Sequence, residues 1–298
     1  MEPQDLPVEG VDVRHSYVDA DGLRMHVAQA GPDDGDPVVL VHGWPQHWWI
    51  WRGVIPPLVA AGHRVICLDL RGHGWSDAPP QGYEKEQLAT DVLAALDSLA
   101  VRRFKLVGHD WGGFASFLIA LREPERVEKL LALSIIHPWI RRDGGLGTQL
   151  KAFASAAYQF VLATPVAGPS VVRFLPFIDT IIRVGSGGRL SEGDRERYWR
   201  RFKEPDRARG TSALYRTFLI RELQPILKGK YRDQRLTVPT LLLYGDSDRV
   251  ITEERLEGWE EHADDMRVEQ IPGAAHFLPD EQPELVARRA LEHFSRGV

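Results

Sequence analysis

An aspartate stands at the centre of a glycine-framed turn, Gly108-His109-Asp110-Trp111-Gly112, directly after the apolar run Phe104–Val107. Small residues two positions before and after a central residue permit a strained strand-to-helix turn that projects the central side chain outward. A carboxylate projected in this way can act as a nucleophile. The structural alternative is that Asp110 only caps a helix beginning near Trp111, which Asp does well. The turn makes Asp110 a candidate nucleophile.

A second loop, His42-Gly43-Trp44-Pro45, follows another strand-like run. In hydrolases built around such a turn, this loop gives one backbone N–H to an oxyanion hole, and the residue after the nucleophile gives the other. We therefore expect Trp44 and Trp111 to supply these backbone donors, although a turn rich in Gly and Pro at a strand end is also ordinary structure. His42 and His47 have no carboxylate or cysteine at matching spacing, so no metal site is predicted.

Two further strand-like runs end in loops that carry titratable groups. The run ending at Gly245 is followed by Asp246 and Asp248, and the run ending at Ile271 is followed by His276. A histidine in a loop is by itself more often structural. The order nucleophile, acid, histidine, each after a successive strand, is however the order used by hydrolytic triads on parallel sheets. Either aspartate could orient His276.

These motifs together resemble those of α/β-hydrolases, and in particular the epoxide hydrolase family, with haloalkane dehalogenases as near relatives. The matching segments cover nearly the whole chain: His42-Gly43-Trp44-Pro45, Gly72-His73-Gly74-Trp75-Ser76-Asp77, Gly108 to Gly112, Gly245-x-x-Asp248 and Gly273-x-x-His276. The resemblance implies a triad of Asp110, His276 and Asp248, since the family's spacing from Gly245 favours Asp248 over Asp246. It implies no cofactor. The expected substrate-binding residues are His42, Trp44, Pro45, His109, Trp111 and Trp139.

The type of nucleophile narrows the reaction. A carboxylate forms an alkyl ester by displacement at a saturated carbon, which disfavours esterase or lipase chemistry and favours epoxides or alkyl halides. An opening epoxide needs a proton donor, and epoxide hydrolases use two cap tyrosines for it. By this resemblance Tyr158 and Tyr215 are the expected donors, with Tyr198 a weaker candidate. We expect an epoxide to be opened to a vicinal diol through an Asp110 ester, which water activated by His276 then hydrolyses.

Other functions stay open at this point. Haloalkane dehalogenases resemble this chain at Trp111, but they commonly carry Asn where this sequence has Trp44. Fluoroacetate-type dehalogenases would need an arginine close behind the nucleophile, and Trp111-Gly112-Gly113-Phe114 contains none. A ligand-binding protein without catalytic activity is a further alternative, because a fold alone does not establish a function.

The elements that must position these residues follow from hydrophobic patterning. Six runs are almost continuously apolar, as in parallel strands covered on both faces: Pro37–Val41, Arg64–Asp69, Phe104–Val107, Lys129–Leu133, Thr240–Tyr244 and Val268–Ile271. Gln87–Leu99 has helical spacing. Val13–Tyr17 and Leu23–Ala28 indicate an antiparallel hairpin. The pattern, with the resemblance, predicts an α/β-hydrolase fold whose mostly parallel, eight-stranded sheet is flanked by helices.

The alternation of strands and helices stops between about His137 and Leu227, where helical runs such as Leu150–Leu162 and Asp194–Phe202 occur. By the resemblance this insertion is a helical cap placed after the sixth strand. The expected division is a hydrolase core in two parts, residues 1–136 and 228–298, with the cap at 137–227.

Composition excludes several classes of protein. The chain has 298 residues, and its net charge of −5 disfavours binding to nucleic acid or to an anionic membrane surface. No apolar stretch is long enough to cross a membrane, and Cys67 is the only cysteine. We expect a cytoplasmic protein with a small hydrophobic epoxide as substrate. An apolar pocket is suggested by the aromatic residues Trp48, Trp49, Trp51, Trp139 and Phe153.

Overall fold

The computed structural model describes residues 1–140 and 157–296. Its chain begins with the expected hairpin, in which β1 (Arg14–Ala20) pairs antiparallel with β2 (Leu23–Ala30). The turn between them consists of Asp21 and Gly22, and both residues have positive φ angles. Asp and Gly tolerate this left-handed conformation better than most residues, which explains why the strands reverse here.

The predicted sheet is confirmed. The remaining strands are β3 (Pro37–Val41), β4 (Arg64–Leu68), β5 (Phe104–His109), β6 (Val127–Leu133), β7 (Thr240–Gly245) and β8 (Met266–Ile271). The eight strands lie in the order β1-β2-β4-β3-β5-β6-β7-β8. In this spatial order, every neighbouring pair within β4-β3-β5-β6-β7-β8 is parallel. Because these strands share one direction, the loops after β3, β5, β7 and β8 emerge at the same edge of the sheet.

Helices flank the sheet. They are α1 (Ile55–Ala60), α2 (Lys85–Ser98) and α3 (Trp111–Arg122) in the first half, with α10 (Leu278–Glu281) and α11 (Pro283–Ser295) at the end of the chain. The helix α3 packs against β5 and β6, α2 packs against α3, and α1 packs against α11. Central strands β3, β5 and β7 are buried over nearly their whole length, as their apolar sequences predicted.

A helical insertion lies between β6 and β7. It comprises α4 (helical residues 157–163), α5 (Ala167–Phe174), α6 (Phe177–Gly185), α7 (Glu192–Phe202), α8 (Pro205–Thr217), a π-helical turn (Phe218–Glu222) and α9 (Leu223–Leu227). We call its described residues 157–227 the cap. The predicted helix Leu150–Leu162 lies partly outside the described residues. The other, Asp194–Phe202, begins two residues early because Ser191 accepts the Asp194 N–H at 3.1 Å as an N-cap.

In the part of the chain that the structure describes, no helix is both long enough and apolar enough to cross a membrane.

Candidate active site

Asp110 occupies the sharp turn between β5 and α3. Its backbone is strained, with φ 50° and ψ −127°, and its side chain makes no N-cap hydrogen bond. Only a glycine fits at position 112, because a Cβ there would lie 2.2 Å from the carbonyl oxygen of His42. The turn therefore packs directly against the loop after β3. Asp110 does not act as the helix cap that the structural alternative proposed.

Backbone donors hold the Asp110 carboxylate. The Trp44 N–H donates to Asp110 Oδ1 at 2.8 Å, and the Trp111 N–H lies against the same carboxylate. Burial raises the pKa of Asp110, but His276 and the Trp111 N–H lower it by more. The net result is a pKa below the ordinary value. At neutral pH the side chain is therefore an ionised carboxylate. The expected pair of N–H groups meets at this residue.

His276 lies between two carboxylates. Its Nδ1 is 2.8 Å from Asp248 Oδ2, and its Nε2 is 3.5 Å from Asp110 Oδ2. Burial lowers the pKa of His276, but Asp248 and Asp110 together raise it to about 10. The ring is therefore an imidazolium near neutral pH while Asp110 is ionised.

Of the two aspartates after β7, only Asp248 reaches His276. Its second oxygen, Oδ1, accepts the backbone N–H groups of Val250 at 2.7 Å and Ile251 at 3.0 Å, which fixes the carboxylate. Asp246 is exposed and accepts the Gly273 N–H at 3.0 Å instead. The contact is with Asp248, the acid that the family's spacing from Gly245 favours.

The cap brings two phenols to this edge of the sheet. Tyr158 lies on α4 and Tyr215 on α8, with their ring centroids 5.8 Å apart. The Trp44 ring lies 6.0 Å from the ring of Tyr158 and 5.0 Å from that of Tyr215. The two hydroxyl groups are hydrogen-bonded to each other, and the centroid of the Trp111 ring lies 6.2 Å from that of the Tyr215 ring. Both expected tyrosines therefore adjoin Trp44, and Tyr215 also adjoins Trp111.

Both phenols are kept in their protonated form. Burial raises the pKa of Tyr158 to about 12, and the negative charge of Asp110 adds to this shift. Burial also raises the pKa of Tyr215, with further contributions from Tyr158 and Asp110. Proton-donating hydroxyl groups and an ionised carboxylate thus coexist in one site over a wide pH range.

Tyr198, the weaker candidate, lies elsewhere. Its hydroxyl donates to the buried Asp280 carboxylate, 2.9 Å from Oδ1 and 3.0 Å from Oδ2, and its ring packs against His47 and Trp49. It joins the cap helix α7 to the core and contacts neither phenol.

The expected substrate-binding residues differ in how their side chains are placed, and their role in binding stays a prediction. Trp44 and Trp111 adjoin Asp110, and Pro45 is buried beside Trp44. His42 is wholly buried, however, and both its ring nitrogens are used, because Nε2 accepts the Leu70 N–H at 3.1 Å and Nδ1 lies 2.8 Å from the Gly43 oxygen. Its side chain therefore holds the loop after β3 in place.

His109 and Trp139 also have structural contacts. His109 Nε2 lies 2.8 Å from the backbone oxygen of His276 and so supports the loop that carries the histidine. Trp139 donates from Nε1 to the backbone carbonyl oxygen of Tyr231 at 2.9 Å, and its ring stacks on that of His262 with centroids 5.1 Å apart. Packing, rather than proximity to a motif, decides the orientation of both side chains.

The aromatic residues expected to line a pocket have the following places in the structure. Trp48 and Trp51 are fully buried in the core, and Trp49 donates from Nε1 to the Pro7 oxygen at 3.0 Å. Phe153 lies outside the described residues. The aromatic rings near the nucleophile are those of Trp44, Trp111, Tyr158, Tyr215 and Phe218; the Phe218 ring lies 4.7 Å from that of Trp111.

A buried ion pair beneath Trp111 was not anticipated. Lys85 Nζ lies 2.8 Å from Glu222 Oε2 and 4.5 Å from the centroid of the Trp111 ring. The Lys85 side chain is fully buried and that of Glu222 is 7% exposed. Glu222 belongs to the π-helical turn of the cap, whereas Lys85 begins α2 of the core. No sequence pattern links these residues, which are 137 positions apart.

Within the described ranges, no group of three or more His, Cys, Asp or Glu side chains is arranged to hold a metal ion. The chemistry available at this edge of the sheet is that of an ionised carboxylate, an imidazole between two acids, two backbone N–H donors and a pair of phenols.

Comparison with known proteins identifies the family. Residues 36–283 match the family model for the alpha/beta hydrolase fold. The chain is 31% identical over 289 residues to the soluble epoxide hydrolase of Corynebacterium sp. (strain C12), covering 95% of this chain and 98% of that protein. It is 32% identical over 285 residues to epoxide hydrolase 4 of Homo sapiens, covering 91% of this chain and 76% of that protein. The solved structure of epoxide hydrolase CorEH without ligand matches with a TM-score of 0.82 at 30% identity, covering 95% of this chain and 99% of that one. The chain therefore belongs to the epoxide hydrolase family of the α/β-hydrolase fold.

Proposed function

We propose that this protein hydrolyses a small hydrophobic epoxide to a vicinal diol through an alkyl ester on Asp110. The observation that carries the proposal is the pairing of an ionised Asp110 with two protonated, mutually hydrogen-bonded phenols beside the same Trp44 ring. A nucleophile and a proton donor on opposite sides of a small substrate are what ring opening requires. Membership of the epoxide hydrolase family, whose members are hydrolases acting on ether bonds, supports the same chemistry.

In the first step, an oxygen of the Asp110 carboxylate attacks an epoxide carbon and the carbon–oxygen bond of the ring breaks. Tyr158 and Tyr215 hydrogen-bond the departing oxygen, and one of them gives it a proton. The ester no longer carries the negative charge that helped raise the pKa of His276. The imidazolium therefore releases its proton, which restores the phenol and leaves His276 neutral.

In the second step, neutral His276 accepts a proton from water, and the oxygen of that water attacks the carbonyl carbon of the ester. Asp248, 2.8 Å from Nδ1, orients the ring and stabilises the imidazolium that forms. The Trp44 and Trp111 N–H groups stabilise the tetrahedral oxyanion. Its collapse releases the diol, returns Asp110 to its ionised form and leaves His276 protonated, as at the start.

The cap and the core supply different catalytic groups in this mechanism. We propose that residues 137–227 act as a cap supplying both proton donors, and that residues 1–136 and 228–298 form the core that supplies the nucleophile, base and acid. Apolar walls at Trp111 and Phe218 favour a hydrophobic substrate.

Dehalogenation of an alkyl halide is less well supported. A departing halide needs weakly acidic N–H groups that are free to converge on it. Trp44 donates from Nε1 to Thr211 Oγ1 at 3.2 Å, so this N–H is already used, and the Trp111 ring packs edge-on against the Tyr215 ring. These contacts favour proton donation by the phenols over halide binding by the indoles.

The test separates alkylation from hydrolysis. His276→Gln should still be alkylated but should not hydrolyse the ester, so its intact mass should rise by the full mass of an aryl epoxide, on the peptide bearing Asp110. The control is His63→Gln, because His63 precedes β4 at the opposite edge of the sheet. In parent enzyme, a single turnover in ¹⁸O-water should place the label in Asp110 and leave the first diol unlabelled.

Two results would contradict the proposal. An unmodified His276→Gln protein, under conditions where the epoxide binds, would exclude the covalent route. An adduct formed from a bromoalkane, with release of bromide and none from the epoxide, would favour the dehalogenase instead.

A further inference from the structure

The backbone of the loop that carries His276 is held at three consecutive residues. Glu281 accepts the N–H of Ala275 on Oε2 at 2.7 Å and the N–H of Phe277 on Oε1 at 2.8 Å. The N–H of His276 itself donates to the carbonyl oxygen of Gly185 at 3.0 Å. One side chain therefore fixes both neighbours of the histidine, while a backbone group fixes the histidine.

These acceptors come from different parts of the molecule. Glu281 ends α10 in the core, and its side chain has no exposed surface. Gly185 ends the cap helix α6. The same cap segment also contributes Arg189, whose Nη1 lies 3.4 Å from Glu281 Oε2. The loop is thus held between core and cap.

The contact with the cap is close because position 185 has no side chain. A Cβ on Gly185 would lie 2.7 Å from Cε2 of the Phe277 ring. The carbonyl at the end of α6 can therefore reach the His276 N–H only while α6 lies directly on Phe277. A cap that moved away would remove this acceptor.

We propose that Glu281 is a positioning residue for His276 in ester hydrolysis, and that the Gly185 carbonyl completes the arrangement when the cap is in place. Docking of the cap then assembles the base for the second step as well as the proton donors for the first. This inference rests on the covalent mechanism proposed above.

The expected kinetic signature follows from the timing of the two steps. His276 acts as a base only after the ester has formed, whereas alkylation depends on Asp110 and the phenols. A misplacement of about 1 Å in a catalytic group can cost about 10²-fold in rate. Loosening the loop should therefore slow hydrolysis of the ester and leave its formation nearly unchanged.

The first variant is Glu281→Gln, which keeps the size of the side chain but turns one acceptor oxygen into a donor facing a backbone N–H. The matched control is Glu284→Gln, because Glu284 is exposed and lies three residues further along. With an aryl epoxide in rapid-quench experiments, we expect ester hydrolysis to slow by about 10- to 10²-fold, alkylation to change by less than about 3-fold, and the ester to accumulate at steady state.

The second variant is Gly185→Ala, whose Cβ would lie 2.7 Å from the Phe277 ring, so that α6 or the ring must shift without any change of charge. Its control is Gly193→Ala on α7, where a Cβ would meet only Ser191 Oγ at 4.0 Å. The same selective slowing of hydrolysis is expected. This variant keeps the inference testable if Glu281→Gln fails to fold.

Equal slowing of both steps in the folded variants would overturn the positioning role, because a general loss of structure would do the same. Parent-like hydrolysis in both would also overturn it. In either case, an ester that still accumulates in His276→Gln would leave the proposed function standing. If His276→Gln forms no ester, the proposed function and this inference fail together.

Discussion

The two halves of the candidate site are held in different ways. In the core half, Asp110, Asp248 and His276 follow the parallel strands β5, β7 and β8 and are fixed by hydrogen bonds to the backbone or to one another. In the cap half, Tyr158 and Tyr215 lie on separate helices and are positioned largely by ring packing, with Trp44 centroids at 6.0 and 5.0 Å. Strand register sets the geometry of the first half, and side-chain packing sets that of the second.

This difference indicates where each substitution should act. A change in the core half should remove a chemical group whose surroundings stay in place. A change in the cap half should alter both chemistry and position, because the packing that orients the phenols also joins cap to core. The predictions below run from the largest expected effect to the smallest.

Asp110→Asn removes the nucleophile while keeping its size. We expect turnover of an aryl epoxide to fall by at least about 10⁴-fold, as when a covalent nucleophile is removed from other hydrolases. Intact-mass measurements should find no ester, and circular dichroism should report a folded protein. The control is Asp246→Asn on the exposed aspartate of the loop after β7. Substantial turnover by Asp110→Asn would mean that Asp110 is not the nucleophile, and the core half would then not have the role given to it here.

Lys85→Met tests the buried ion pair between Lys85 of the core and Glu222 of the cap. The change leaves the buried Glu222 without its counter-ion, with only the Lys85 backbone N–H still donating to Oε1 at 2.7 Å, and breaking a buried ion pair typically costs about 3–5 kcal/mol of unfolding free energy. Urea denaturation would measure the loss. The double variant Lys85→Met/Glu222→Leu should recover much of it, since no charge then remains buried. A single variant as stable as the parent would mean that this pair does not hold the cap on the core.

Removing the phenol hydroxyls tests the cap half directly. Loss of one oxyanion donor typically costs about 10²–10³ in rate, although two tyrosines can partly replace each other. We expect Tyr158→Phe and Tyr215→Phe each to slow ring opening within this limit, and the double variant to lose nearly all of it. Weak bromoalkane turnover should change little, because halide departure needs no proton.

Tyr17→Phe, on an exposed side chain of β1, is the matched control for these tyrosine variants. Full epoxide turnover by the double variant would remove the phenols from the mechanism. Bromoalkane turnover above epoxide turnover in the parent would reverse the ranking of the two functions.

The smallest effect is a shift in titration. Asp248 and Asp110 together raise the pKa of His276 to about 10, against the opposing effect of burial. In Asp110→Asn one of these charges is gone, so the pKa of His276 should fall toward its ordinary value while Asp248 still raises it. NMR titration of the imidazole protons would measure the change. An unchanged pKa would argue against the charge coupling on which proton release from His276 depends.

Much of the fold could be read from the sequence because local patterns encode it. Continuous apolar runs located all six parallel strands, and β3 was predicted with both ends correct. The glycines around Asp110 indicated a sharp turn, since the close approach of Gly112 to the loop after β3 admits no side chain. Residues that directly follow strands, such as Trp44, could likewise be predicted to meet at one edge of the sheet. Their catalytic roles remain predictions.

Other features were decided only by the tertiary structure. His42 and Trp139 stand next to informative motifs, but packing directs their polar atoms to backbone partners. In each case side-chain direction depends on neighbours that are distant in sequence.

The contacts between core and cap show most clearly that residues distant in sequence determine these side-chain positions. Glu222 meets Lys85 from 137 residues away, and Gly185 reaches the His276 N–H from a different helix. Such pairs follow no local period, because they form only after the sheet has brought the strand ends together and the helices have packed over them. The sequence by itself therefore determined the strands, the turn at Asp110 and the types of reactive group, through short-range steric and hydrophobic constraints. The tertiary structure alone decided what holds the histidine in place and what joins the cap to the core, because those contacts depend on long-range packing.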